Sequence, residues 1–308
     1  MSPLRQALAD YLAVRRALGY KLDKPEKLLA QLLTYVEERG ETHLRTATMV
    51  AWATLPEGAD RSWSSYRLSV ARGFASHVRA IDPTTEVPPT DLLPWRRCRA
   101  TPYLYTDNEL GAVMTTAATL RTPHRVATYR TLIGLLAATG MRVGEALALD
   151  RSDLDGAQHV LTIRTSKFGK SRELPVHPST VDALHQYLRR CDRPRSAVRT
   201  AALFVSTAGT RLLYSNVQWT FHRLVRRVGL TSRSAGCRPR IHDLRHRYAV
   251  CTMLDSYQQG HDIEARLCLL STYLGHVDPS YTYWYLSAAP ELLQLAGDRL
   301  ERHLGGAL

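Results

Sequence analysis

Cysteine is scarce in this chain: Cys98, Cys191, Cys237, Cys251 and Cys268 are the five in 308 residues, an odd number with no C-x-x-C pair. That argues against a secreted disulfide scaffold and against a structural zinc finger. Long apolar runs are missing as well. Nothing approaches 18 consecutive apolar residues, and the first residues do not read as a basic-then-apolar leader, so no membrane span is expected. A soluble, reducing, intracellular compartment is the expectation. There is no glycine-rich phosphate loop. Gly169-Lys170-Ser171 resembles the end of one, yet it lacks the upstream glycines and falls in a hairpin instead of between a strand and a helix. Internal repeats and a doubly wound βαβ series are both absent.

Acidic residues are also in short supply, 28 against 41 Lys and Arg, which leaves a formal charge of +13. With 44% hydrophobic residues the chain can fill a core, so this is not the composition of a disordered polycation. A field this positive favours a polyanionic partner. Its distribution is uneven: residues 1–95 carry 12 basic and 11 acidic side chains, whereas the remainder carries 29 and 17. A solubility surface needs no such bias, and a nucleic-acid-binding C-terminal part is the sharper reading. Arg15, Arg16, Lys21, Lys24 and Lys27 still form a local cluster in the near-neutral first part.

The first 80 residues read as helices. Pro3 suits a first helical position, and Leu4, Leu8, Tyr11 and Leu12 form a stripe. Asp23 reads as an N-cap with Glu26 as its capping-box partner, opening a helix that stops at Gly40. A shorter helix is predicted near Thr46–Thr54, then one from Ser62 to Arg79 with Tyr66, Val70, Phe74 and Val78 on one face. From 83 to 102 the prolines (Pro83, Pro88, Pro89, Pro94, Pro102) exclude a helix or central strand, so this is read as a linker. It carries Arg96, Arg97 and Arg99, which either track a phosphate backbone or sit on a solvated tether. Helices resume at the capping box beginning Thr106 and over Pro123–Ala138, ending at Gly140. His159–Thr165 alternates like a strand, and the turn Lys167-Phe168-Gly169-Lys170 leads to a second strand near Arg172–Val176, a hairpin. Helices are predicted near Pro178–Arg190, Ser215–Val228, His242–Leu254, Asp262–Leu270 and Pro279–Leu286, with a helix-capable tail from Pro290 to Gly305.

Four patches can carry chemistry. In Thr139-Gly140-Met141-Arg142-Val143-Gly144-Glu145 an arginine sits at a helix start after a turn-permitting glycine, where a phosphate would meet a guanidinium fork and free backbone N–H groups. Lys167 and Lys170 on a tight turn can be delivered into a groove as point charges. His242, Arg245 and His246 share a helical face and converge on an anion more economically than on zinc, since the base of a zinc-protease helix would have to be the short Asp243 and no third ligand is evident. Finally Leu274-Gly275-His276 precedes Tyr281, Tyr283, Trp284 and Tyr285. Each patch alone has an ordinary structural reading: a salt-bridged arginine, a solvated turn lysine, packed aromatics.

Together, over residues 105–290, they resemble the catalytic domain of the tyrosine recombinases, the phage-integrase-like DNA strand-transfer enzymes. The order is Arg in T-G-x-R-x-x-E, Lys in a β-turn, H-x-x-R, L-G-H, and Tyr nine residues after that His. It gives Arg142, Lys167, His242, Arg245, His276 and Tyr285 as the catalytic set. The resemblance implies a mainly α chain: a helical core-binding (SAM-like) domain over 1–82, the linker over 83–102, and an α+β catalytic domain with a small antiparallel sheet over 103–308. It implies site-specific cleavage and rejoining of DNA in recombination or integration of a mobile element, through a 3′-phosphotyrosyl intermediate. The tyrosine attacks a phosphodiester, two arginines clamp the charge that develops, His276 assists, Lys167 protonates the leaving 5′ oxygen, and His242 receives the tyrosine proton or orients the phosphate. No cofactor or metal is implied. Arg96, Arg97, Arg99 and Lys170 are expected DNA contacts. The implied partners are duplex DNA with paired sites, further copies up to a tetramer, and a second recombinase or accessory protein. The implied setting is a bacterial cytoplasm near the nucleoid. A catalytically silent DNA-binding relative and a type IB topoisomerase-like relaxing enzyme are the rivals. The stretch between His246 and His276 is longer and more polar than in the shortest members. The Pro290–Leu304 helix could either be exchanged between neighbours or pack on its own domain.

Overall fold

A computed structural model describes residues 2–55, 58, 61–93, 100–164, 171–194, 200–234, 236–276, 278, 282–283 and 290–305. The chain divides into two compact units, 1–99 and 100–308. The first is helical: α1 (Pro3–Ala17), α2 (Asp23–Glu38), α3 (Thr46–Thr54) and α4 (Arg61–Arg79). Leu8 and Leu12, Leu29 and Leu33, Trp52, Leu68 and Phe74 meet in one core. Arg67 is drawn into that core, its guanidinium 4.0 Å over the Trp52 ring and donating to the Trp52 carbonyl at 2.7 Å.

Two local expectations are corrected. Asp23 is the first helical residue of α2, and the cap position falls to Leu22 in a left-handed conformation with no side-chain cap; Glu26, freed from a capping box, pairs with Arg16 at 2.6 Å. In α4 the buried face is Leu68, Ala71, Phe74, Ala75 and Val78, with Tyr66 left 36% exposed. A four-residue step overshoots the helical turn by about 40°, so a strict i+4 row drifts off the core. The proline-rich stretch is partly held down: Arg72 donates to the carbonyls of Pro88 and Pro89, both at 2.7 Å, and Glu86 N–H donates to Leu44 O.

The second unit is mainly helical with one small antiparallel sheet. α5 (Asp107–Thr116) starts at Thr106, whose capping box with Glu109 is complete. α6 (Pro123–Thr139) ends at Gly140 with φ +59°, and α7 (Val143–Ala148) follows at once. Strands β1 (Leu154–Asp155), β2 (Val160–Ile163) and β3 (Arg172–Pro175) lie in sequence order, with Leu161 opposite Leu174 and Ile163 opposite Arg172. Period-two alternation turns Leu161, Ile163 and Leu174 into the core. After α8 (Pro178–Arg189) and α9 (Tyr214–Val228) come α10 (Asp243–Gln258) and α11 (Ile263–Leu274), each a turn longer than the sequence reading, and α12 (Pro290–Gly305). Leu292 of α12 is buried with Val250, Met253, Leu267 and Leu270 of its own unit, while Leu293 beside it is exposed. The helix predicted at Pro279–Leu286 lies largely outside the described residues.

Candidate active site

The junction between α6 and α7 is the foundation. Gly140 turns the chain left-handed, and a Cβ there would stand 2.5 Å from the Tyr248 ring of α10, so only glycine lets the two helices close up. The turn leaves the Gly140 carbonyl pointing at α10, where Arg245 Nη1 donates to it at 2.9 Å. Arg245 is 2% exposed. Its Nη2 donates to Leu274 O at 2.9 Å and lies 2.8 Å from His276 Nε2. One buried guanidinium therefore ties the T-G-x-R turn to the L-G-H turn. A charged group so deeply buried persists only where its donors are all used.

Arg142 is the cap residue of α7, at the helix start where the sequence puts it. Its Nη1 reaches Glu145 Oε1 at 2.8 Å, its Nη2 the Gly275 carbonyl at 3.1 Å, and its backbone N–H the second Glu145 oxygen at 3.0 Å. About 29% of its side chain remains exposed. Glu145 is in turn held by Arg172 of β3, Nη1 to Oε1 at 3.1 Å and Nη2 to Oε2 at 2.9 Å. Two guanidinium groups sharing one carboxylate leave a net positive charge at the surface they border, and the Glu145 carboxyl is pulled below its usual range by hydrogen bonds from both arginines, against the opposing effect of burial.

His276 follows Gly275, whose φ is +68° and whose missing Cβ would stand 2.7 Å from the Arg172 guanidinium. An arginine can only donate, so Nε2 of His276 presents its lone pair to Arg245 and Nδ1–H donates to Thr282 Oγ1 at 2.8 Å. Burial and the field of Arg245, Arg142 and Arg172 push the imidazole down to about 3. His242, at the start of α10, is lowered to about 4 by burial, then by Arg245, Arg240 and Arg142. Its ring meets that of His246 edge to face at 5.2 Å, and burial with its charged neighbours takes His246 to about 3. Asp243, the residue a zinc-protease reading would make the base, is fully buried and grips Arg240 through both oxygens. Among the described residues no group of three His, Cys, Asp or Glu side chains is placed to hold a metal ion.

Arg142, Arg245, His242 and His276 are thus brought to one place. Lys167, Lys170, Tyr285, Arg96, Arg97 and Arg99 lie outside the described residues. Tyr283, in the same aromatic run, is 56% exposed. Sequence reasoning missed Arg172 and Thr282 and quoted Glu145 without assigning it a place. Glu145 was readable from its three-residue offset to Arg142 across a helix start. Arg172 had a subtler signal: it alternates with Leu174 on the inward face of β3, where a charge requires a partner.

The sequence pattern of the Phage integrase family matches residues 104–291. The chain belongs to that family. It is 41% identical over 98% of both chains to the Sinorhizobium fredii protein y4rB, of the integrase/recombinase type. It is 34% identical to the tyrosine recombinase XerD of Mycobacterium tuberculosis over 51% of this chain and 46% of that one. Among solved structures, the Tn1549 transposon integrase with transposon right-end DNA superposes with a TM-score of 0.66 at 15% identity, covering 98% and 99% of the two chains. A lambda integrase tetramer on a Holliday junction does so with 0.62 at 19% identity, covering 92% and 76%. The protein is a tyrosine recombinase: a DNA-binding enzyme that cuts and rejoins strands in site-specific recombination or integration.

Proposed function

We propose that this recombinase cleaves each strand through Tyr285, with Arg142 and Arg245 as the phosphate clamp, His276 as the third hydrogen-bonding group, Lys167 as the acid and His242 as proton acceptor or phosphate orienter. The observation that carries the reading is the convergence of Arg142, Arg245 and His276 around the paired turns at Gly140 and Gly275. The tyrosine Oη forms a bond to phosphorus, the P–O5′ bond breaks, the tyrosine proton passes to a base, and the 5′ oxygen leaves as a hydroxyl with a proton from Lys167. The charge that builds on the nonbridging oxygens is offset by preorganised guanidinium groups. The phosphotyrosine conserves the bond, so a 5′-hydroxyl from another strand reseals it without a nucleotide.

Assembly as a tetramer on paired duplex sites, as in the lambda integrase complex on a Holliday junction, and service to a mobile element, as for the Tn1549 integrase, belong to the same proposal. So does a cytoplasmic setting. The test is covalent trapping on nicked duplexes drawn from the DNA flanking its gene, in EDTA, with Tyr285→Phe, Tyr283→Phe and Tyr281→Phe variants. A chelator-resistant 3′ adduct lost only with Tyr285→Phe is expected. Loss with another tyrosine overturns the assignment of the nucleophile. Tight specific binding with no adduct from the wild-type protein favours the silent DNA-binding rival.

A further inference from the structure

We propose that Arg172 is a positioning residue for strand cleavage, setting the orientation of Arg142 and the electrostatic state of His276 without itself touching DNA. The inference rests on the reading of the site given above. Three nitrogens of Arg172 are committed to three acceptors: Nε to the Tyr273 carbonyl at 3.1 Å, Nη1 and Nη2 to the two oxygens of Glu145 at 3.1 and 2.9 Å. The side chain is 15% exposed and its guanidinium lies against Gly275, closer than any Cβ would permit. Tyr273 closes the same seam from the other side, its hydroxyl donating to Pro175 O at 3.2 Å. β3, the start of α7 and the end of α11 are therefore joined through one planar fork, and the two turns that present Arg142 and His276 are locked in register.

The consequence for chemistry follows from which acceptors are shared. Glu145 is pulled between Arg142 and Arg172. Without Arg172 the carboxylate has only Arg142 to neutralise it, so the Arg142 guanidinium, which already donates to Glu145 at 2.8 Å, is drawn more tightly onto that carboxylate and away from a phosphate. His276 faces Arg245 of α10, Arg142 and Glu145 of the α7 start, Arg172 of β3 and the Thr282 hydroxyl. Removing Arg172 deletes one positive neighbour and leaves Glu145 less compensated, so the imidazole becomes a stronger base. Lysine cannot substitute. A single ammonium cannot reach a carbonyl and span both oxygens of a carboxylate in one plane.

The experiment compares wild type, Arg172→Lys and Arg172→Gln in three measurements. Binding to the cognate duplex is read by gel shift, the single-turnover rate of adduct formation by denaturing gel from pH 5.5 to 8.5, and the His276 imidazole of the free protein by NMR titration. Binding is expected to stay within about threefold. Adduct formation is expected to fall about 100-fold, in both variants, because misplacement of a positioned group carries penalties of that order. The His276 titration is expected to move upward in Arg172→Gln and less in Arg172→Lys, which keeps the charge. An unchanged cleavage rate in either variant overturns the proposal, and so does full rescue by lysine, which would mean that charge alone matters. If Arg172→Gln fails to fold, the Arg172→Lys rate and binding split decides. If wild type forms no adduct, the catalytic reading has failed, and an unmoved His276 titration then removes this inference separately.

Discussion

Three imidazoles stand inside the arginine cluster, and burial among cations makes all of them poor bases in the free protein. His242 is held down at about 4, His246 and His276 at about 3. In the unfolded chain each would titrate near 6.5. Between pH 6.5 and 4 the unfolded state therefore binds protons that the folded state refuses, and stability must fall as pH falls through that window. At pH 5.5 the loss is about 1 kcal/mol per histidine. The Glu145 carboxyl, held below its usual range, loses its own contribution only as pH falls through the ordinary carboxylate range near 4.5 and below, so measurements at pH 5.5 and above read the histidines. Urea unfolding at pH 7.5, 6.5 and 5.5 is expected to show a declining midpoint in wild type and a shallower decline in His276→Asn. A flat profile in wild type would mean that these imidazoles are not buried as drawn. The same depression bears on cleavage. His276 Nε2 carries no proton while Arg245 donates to it, so it can donate to a phosphate only after gaining one. A bound phosphate supplies the incentive, since its negative charge offsets the arginines and raises the imidazole.

At the scale of the element, the site is made by how helices end. α6 stops at Gly140 and α11 at Gly275, both left-handed, and each presents its last carbonyls to a guanidinium. Gly140→Ala tests this directly. A left-handed L-residue costs about 1–2 kcal/mol, and the added Cβ would press on the Tyr248 ring at 2.5 Å. Chemical denaturation is expected to show a loss of about 2 kcal/mol or more, with the steric share recovered in Gly140→Ala/Tyr248→Leu and the backbone share retained. Equal stability of Gly140→Ala and wild type would sink the argument. Here too lies the boundary of what was legible. Helix ends punctuated by glycine or a capping box, such as Gly40, Thr106 and Gly140, are local chemistry and could be read directly. Asp23 failed as a cap because Leu22 turned left-handed, and the α4 stripe drifted because 3.6 does not divide into fours. Arg142, His242, Arg245 and His276, the motif residues that the structure brings together, were singled out through spacing. Arg172 could be picked out as an inward charge on β3, but its role could not, because its partners Glu145 and Tyr273 lie 27 and 101 residues away and only folding brings them to β3.

For the whole molecule the question is where its charge acts. Of the 41 basic residues, 26 fall in residues 100–308 with 17 acidic ones, and 15 fall in residues 1–99 with 11. Three of the 15 are Arg96, Arg97 and Arg99, so most of the first unit's positive excess is concentrated in four residues at its end. Two readings of that cluster differ in a measurable way. A phosphate-tracking segment releases counterions on binding, whereas a solvated tether releases none. Each phosphate neutralised contributes about 0.9 to the slope of log K against log salt on duplex DNA. If all three arginines engage phosphates, changing them together to glutamine is expected to make that slope shallower by about 2.7. The loss should be similar on specific and random duplexes, because such contacts carry no sequence information. Fluorescence anisotropy from 50 to 300 mM salt, with wild type and the triple variant on both duplexes, reads the difference. An unchanged slope would make the cluster a tether. A loss confined to the specific duplex would mean that these arginines read bases or DNA shape.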